Sequence, residues 1–218
     1  MFSIIKKILK SPYRFKNKII SIEPNYKIIN NLNDKSIVVD IGLGDNADFS
    51  KALIKRYNLR SFGFDPTKKH CSSLRQIEKN SNGHFKFFPK ALSIKKDTEI
   101  FYESLANISG SFLNNHINIK NDKTIAYPIE TITIEDIFPL IGHNYIDLLK
   151  MDVEGEEYKV ISSLKESALS QMGQLIVEFH HHCIDGFSFQ DTLNCVNILK
   201  NYGFKSYSID KINYLFFR

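Results

Sequence analysis

Residues 37–65 constrain this chain more than any other stretch. Ile37-Val38-Val39-Asp40-Ile41 is an apolar, β-branched run, and Gly42-Leu43-Gly44 behind it is the signature of a tight turn. An amphipathic pattern follows from about Asn46 to Tyr57, and a second short apolar run closes on Gly63-Phe64-Asp65-Pro66. Strand, glycine turn, helix and strand in that order make a βαβ unit, and the turn at the carboxyl end of its first strand is where a nucleoside cofactor sits. Strands of this kind are buried on both faces, so the rest of the chain must cover them.

The remaining pattern supplies that cover. Ser36–Ile41 and Ser61–Asp65 read as the first two strands, with Phe49, Ala52, Leu53 and Tyr57 on the inward face of the helix between them. Thr67 stands where an N-cap would, before a helix running to about Lys79, and His84–Phe88 is a third strand. Thr98–Tyr102 is a candidate strand. Leu105–Lys123 is polar and aperiodic, as expected of a lid or binding loop. Tyr127–Ile132 precedes Thr133, which caps a short helix containing Asp136. Tyr145–Met151 and Gln174–Phe179 are strands, separated by a helix that turns Val153, Val160, Ile161 and Leu164 inward. Phe189, Leu193, Val196 and Leu199 form one face of a last helix with Gly203 as its C′ residue. Lys205–Ile209 and Ile212–Phe217 lie close enough to be a hairpin. This order predicts an α/β, doubly wound, mostly parallel sheet with an antiparallel edge.

At 218 residues the chain fits one such domain with a short appendage. Two regions are expected: a basic amphipathic helical extension over 1–35, and a nucleoside-binding domain over 36–218. The net charge of +5 is spread without a dense basic block after the N-terminus, which argues against a nucleic-acid partner. Cys71, Cys183 and Cys195 are odd in number and lack a C-x-x-C spacing, as suits a reducing, cytoplasmic compartment. No run is long and apolar enough to span a bilayer. Met1–Lys18 alternates Phe2, Ile4, Ile5, Ile8 and Leu9 with lysines. Residues 1–20 therefore offer peripheral contact with an anionic membrane surface, although packing of that helix on the domain is the preferred reading. Nothing in the pattern specifies an oligomeric state.

Gly42-Leu43-Gly44-Asp45-Asn46-Ala47 matches the dinucleotide fingerprint, with Asp65 placed to hold a ribose diol. Charge argues against a dinucleotide. A diphosphate at this helix N-terminus would meet Asp40, Asp45 and Asp48, a repulsion of several kcal/mol at intermediate dielectric. S-adenosylmethionine carries no phosphate, and its ammonium and sulfonium suit an acid-rich turn.

Several segments also resemble the FkbM-type S-adenosylmethionine-dependent methyltransferases. They are Val38–Phe49, Phe64-Asp65-Pro66, Lys90-Ala91-Leu92-Ser93, Tyr127–Ile137, Ile176–His180 and, most specifically, Ile146–Glu157 with its Lys-x-Asp-x-Glu-Gly core. The likeness runs over roughly residues 36–217 in the family's order. It implies a class I methyltransferase (Rossmann-like) fold, with a seven-stranded sheet ending in an antiparallel hairpin, and O-methylation of a small-molecule or saccharide hydroxyl. Two departures stand out: Asn46 replaces the final glycine region of Gly-Ala-Asn-x-Gly, and Asp65-Pro66 replaces Glu-Pro. On this basis Asp40, Gly42, Gly44 and Asn46 are expected around the methionine part, Asp65 on the ribose, and Ala91 and Leu92 near adenine.

Methyl transfer to a hydroxyl is an in-line displacement helped by a base. Asp152, Glu154, Glu178 and His180 are the candidates for that base or for orienting the acceptor, with His180 attractive because an ordinary imidazole titrates near neutrality. Glu156 and Glu157 read as a solvated first helical turn. Asp152, Glu178 and His180 also offer oxygen and nitrogen ligands to a divalent metal, although a metal-free site is preferred on sequence grounds. Alternation along a strand keeps the run His180-His181-His182-Cys183 from closing one site. The rival readings are an NAD(P)-dependent oxidoreductase and a non-catalytic nucleoside-binding module. For the oxidoreductase, the sole Tyr-x-x-x-Lys, Tyr207 to Lys211, falls in the terminal hairpin.

Overall fold

The computed structural model describes residues 18–218. It opens with a hairpin of β1 (Ile19–Ile22) and β2 (Tyr26–Ile29), paired antiparallel with Ile22 opposite Tyr26. The helix expected over Met1–Lys18 falls almost wholly outside the described residues, but the rest of the extension is corrected here: residues 19–22 and 26–29 are strands joined by a turn. Tyr26, Ile28 and Ile29 are buried in one core cluster with Val38, Phe49 and Leu53, and each such side chain contributes roughly 1.5–3 kcal/mol on burial. The backbone of Ile29 is held at both ends by the buried amide of Gln174, which accepts from Ile29 N at 2.7 Å and donates to Ile29 O at 3.2 Å. This part of the extension is therefore built into the domain.

The βαβ unit follows as β3 (Ile37–Ile41), α1 (Asp48–Tyr57) and β4 (Arg60–Phe64). Alternation divides β3 between two cores. Val38 faces α1 and the hairpin, whereas Val39 and Ile41 face the larger core on the other side of the sheet. A short 3-10 turn, Lys68–His70, leads into α2 (Cys71–Asn80), and β5 (Phe85–Phe88) completes this half. Thr67 makes no side-chain cap; its N–H is taken at 2.9 Å by the Asp65 carboxylate.

Between the halves the chain builds a second sheet from β6 (Ala91–Leu92), β7 (Thr98–Ser104), β8 (Gly110–Ser111) and, after the one-turn α3 (Ile117–Lys120), β9 (Thr124–Ile132). Its order is β6-β9-β7-β8. The polar stretch 105–123 thus carries two short elements of its own. Thr133 and Asp136 close the expected capping box on α4 (Ile134–Ile141).

The second half comprises β10 (Ile146–Met151), α5 (Glu157–Ser163), α6 (Glu166–Leu169), β11 (Met172–Glu178), α7 (Phe189–Asn201), β12 (Lys205–Ser208) and β13 (Asn213–Phe217). The main sheet runs β12-β13-β11-β10-β3-β4-β5. Neighbours are parallel except around β13, which pairs antiparallel with both β11 and β12. The antiparallel strand is thus inserted one place in from the edge, and β12 forms the edge. Helices α4, α5 and α7 cover one face, while α1 and the hairpin cover the other. No helix among the described residues is long and apolar enough to cross a membrane.

Candidate active site

Chain order reverses between β3 and β10, and the carboxyl ends of β3, β4, β6 and β10 surround a cavity of about 610 Å³ counted to its open mouth. Gly42 and Gly44 form one wall, Asp65, Pro66, Thr67 and His70 a second, and Ala91 and Leu92 a third. Asp152, Val153 and Glu154 close it from the β10 side, and Phe101, Ile108 and Phe112 reach in from the second sheet. Gly42 is where the two halves of the main sheet touch. At φ +81°, a β-carbon there would lie 1.8 Å from the Asp152 carbonyl oxygen, so only glycine fits.

The Asp65 wall is neutralised by backbone. Its carboxylate is buried and accepts from Leu43 N at 3.0 Å and from Thr67 N at 2.9 Å, with His70 Nδ1 at 3.4 Å. Asp65 thereby fastens the glycine turn to the end of β4 while lining the cavity. His70, which the sequence reading passed over, lies buried beside it.

The β10 wall is built differently. Lys150 and Asp40 are directly paired in register across β10 and β3, so both side chains emerge on one face. Lys150 Nζ donates to Gly42 O at 2.6 Å and lies 3.4 Å from Asp40 and 3.2 Å from Asp152. Burial alone would lower the lysine's pKa, but Asp152 and Asp40 outweigh it and raise the pKa. Burial pushes Asp40 upward despite Lys150. Asp152 is held below the usual carboxylate range, because Lys150 and His180 overcome its burial.

Behind Asp152 stand the other candidates. The Tyr26 hydroxyl lies 3.1 Å from Asp152 Oδ2 and 3.0 Å from Glu178 Oε2, tying the hairpin to the ends of β10 and β11. Burial and the Asp152 charge push Glu178 up to about 7. His180 is clamped by Glu157, whose Oε1 accepts from both His180 N and Nδ1 at 2.9 Å, and whose Oε2 accepts from Gly155 N at 2.9 Å. Burial would lower the imidazole's pKa, but Glu157, Glu154 and Asp152 raise it to about 10. Glu154 pairs with His116 Nε2 at 2.7 Å, and its backbone is left-handed, φ 50°. A non-glycine residue held this way is strained by on the order of 1–3 kcal/mol and marks a position fixed by its surroundings.

Several expectations are corrected by this geometry. Asp40 does not reach the cavity; it lies beneath the glycine turn with Ser50 Oγ at 2.6 Å. Asn46 is exposed and outside the lining, and the left-handed residue entering α1 is Ala47, φ 50°. Glu156 and Glu157 are buried instead of solvated. Glu157, Glu154 and Asp152 make His180 hold its proton more tightly than an ordinary imidazole, which sets it apart from a base poised near neutrality. Residues 181–183 lie in a turn beyond the end of β11, where strand alternation does not apply. Of the four proposed catalytic groups, Asp152 and Glu154 line the cavity, whereas Glu178 and His180 stand one layer back. Gly42, Gly44, Asp65, Ala91 and Leu92 line the cavity from three separate segments. Lys150 stands in the Lys-x-Asp-x-Glu-Gly core but was assigned no role, Glu157 was read as a solvated acid, and Tyr26 carried no local signal.

A 42-residue stretch is 52% identical to the probable methyltransferase-like protein 24 of Rattus norvegicus and of Homo sapiens, covering 19% of this chain and 12% of theirs. The chain thus spans about an eighth of the length of these curated relatives. Among solved structures, the Methanococcus jannaschii fibrillarin pre-rRNA processing protein aligns with a TM-score of 0.50 at 10% identity, over 85% of this chain and 67% of that one. That likeness shows the fold alone, the α/β fold of class I methyltransferases. The family model of the methyltransferase FkbM domain matches residues 5–206, nearly the whole chain, and the protein belongs to that methyltransferase family.

Proposed function

We propose that this chain is an S-adenosylmethionine-dependent O-methyltransferase whose acceptor is a hydroxyl of a saccharide or a related metabolite. The observation that carries the reading is the charge of the cavity: Asp65, Asp152 and Glu154 line it, and among the described residues no lysine or arginine does. An ammonium and a sulfonium are stabilised there, whereas a dinucleotide would set its phosphates beside three carboxylates, with Lys150 and His180 lying behind Asp152 instead of in the lining. In this reading the methionine part lies along Gly42 and Gly44, the ribose against Asp65, and adenine between Pro66 and Leu92.

The transfer follows from alignment. The acceptor oxygen attacks the methyl carbon in line, the carbon–sulfur bond breaks toward sulfur, and the hydroxyl proton passes to a carboxylate. Alignment supplies much of the rate, and a positioned base adds about 10²–10⁴-fold. Glu154 is assigned as that base, because it faces the cavity and its partners are the imidazoles of His116 and His180 instead of the Lys150 ammonium. Asp152, paired with Lys150, is the weaker base and orients the acceptor. Three free cysteines are compatible with a reducing cytoplasm. We assign no nucleic-acid partner.

Calorimetric titration of the full chain with S-adenosylmethionine, S-adenosylhomocysteine and NAD tests the cofactor. One equivalent of each sulfur nucleoside should bind and NAD should not. Binding of NAD alone would overturn the reading.

A further inference from the structure

On spacing alone a metal-free site is the simpler reading; the way His180 is held changes that. Asp152, Glu178 and His180 bring one ligand atom each within 4.8 Å of one another. Three further observations turn this grouping into a built site. The first is the clamp on the imidazole. Glu157, itself buried, accepts the Nδ1 proton at 2.9 Å, which fixes the ring and leaves Nε2 as its functional end. A carboxylate behind the far nitrogen of an imidazole is how metal-ligating histidines are oriented.

The second is that Nε2 of this buried ring is turned toward carboxylates. Asp152 Oδ1 and Glu154 Oε2 face it at 3.6 and 3.5 Å. These separations are long for a hydrogen bond. They are a little wider than the roughly 3.0–3.4 Å between adjacent ligands bonded at about 2.1 Å, so a small inward movement of the Asp152 carboxylate would bring it and Nε2 onto one cation.

The third is a mismatch between lone pairs and protons. Asp40, Asp152, Glu154, Glu157 and Glu178 crowd around the buried Lys150 and His180. The single Tyr26 proton is shared between two carboxylates, Asp152 and Glu178. The arrangement holds more acceptors than donors, which is the condition a divalent cation relieves.

We propose that Asp152, Glu178 and His180 bind one divalent cation of the Mg²⁺/Mn²⁺ class. Glu157 acts as the positioning residue for the histidine, and Tyr26 orients the outer oxygens of the two carboxylates. Because Asp152 also lines the cavity, the cation stands at the wall where the proposed acceptor would lie. Its role there, holding the acceptor oxygen beside the methyl donor, rests on the methyltransferase reading; the binding site itself does not.

The test uses the chelator-stripped full chain titrated with Mn²⁺, with unbound Mn²⁺ followed by electron paramagnetic resonance and Mg²⁺ added as competitor. One Mn²⁺ per chain should bind and Mg²⁺ should displace it. Glu178→Gln and Glu157→Gln, checked for native circular dichroism, should each weaken Mn²⁺ at least tenfold. No binding of Mn²⁺ to the wild-type chain overturns the proposal, and so does binding unchanged in both variants. The wild-type measurement stands even if a variant fails to fold. S-adenosylmethionine affinity measured in excess chelator separates the two claims. Nucleoside binding without Mn²⁺ binding sinks the metal site alone, and Mn²⁺ binding without nucleoside binding sinks the cofactor reading alone.

Discussion

Two acidic walls face each other across the cavity, and the chain satisfies them by different means. Asp65 is held by amide N–H groups of Leu43 and Thr67, with a histidine alongside. Asp152 is held by side chains that are themselves ionisable: Lys150, His180 and the Tyr26 hydroxyl. Amides have no protonation state to change, so the two donors from Leu43 and Thr67 stay in place whatever the charges around them, as suits the cofactor contact proposed for Asp65. Ionisable partners couple to one another, so the second wall responds to protons, cations and a nearby hydroxyl. Carboxylates that look alike in sequence are thus told apart by what neutralises them.

The most damaging way to break this comparison is to separate the walls. Gly42→Ala puts a methyl group into the Asp152 carbonyl at a left-handed backbone position. It should cost more than about 4 kcal/mol, near the upper end for single substitutions. The thermal midpoint should fall by about 10 °C or more in a chain of this length. A midpoint within a degree or two of wild type would mean that the close approach is not obligatory.

A milder change weakens the amide-held wall by itself. Asp65→Asn keeps an acceptor for one N–H but turns an NH₂ group toward the other, and it removes the charge that the proposed ribose contact uses. Calorimetry should show S-adenosylmethionine binding weakened about tenfold, equivalent to about 1.4 kcal/mol. Unchanged affinity would remove Asp65 from the cofactor site.

The smallest expected effect belongs to the ionisable wall and is read by pH in the presence of chelator. His180 is raised from 6.5 to about 10 on folding. The stability it contributes is therefore fully present below pH 6.5 and lost as pH rises through about 10. Glu178, raised from 4.5 to about 7, acts in the same direction at lower pH. The melting midpoint should decline by on the order of a few degrees between pH 7 and 9.5, and His180→Gln should flatten that decline. A wild-type profile already flat over this range would show that the imidazole is not held charged.

How much of this was legible depends on the range of the interaction. The βαβ unit, the Thr133–Asp136 capping box and the terminal hairpin are local, written in alternation, glycine and cap residues, and they stand as expected. Glu157 shows the opposite case. At the start of a helix it has the marks of a solvated first-turn acid, but α5 docks so that it is buried against His180, 23 residues away. Tyr26 lies 126 residues from Asp152 and 152 from Glu178, and no local pattern could pair it with either.

By itself the sequence determined which strands form, that the chain reverses at Gly42–Gly44, and that acids stand at the strand ends, because hydrophobic period and turn stereochemistry act over a few residues. Only the tertiary structure decided which of those acids reach the cavity. Strand register sends Asp40 under the turn to Lys150, while the packing of α5 and of the β1–β2 hairpin sets Glu157 and Tyr26 behind Asp152. A carboxylate's role depends on the dielectric and the charges around it, and those are supplied by residues far away in the chain.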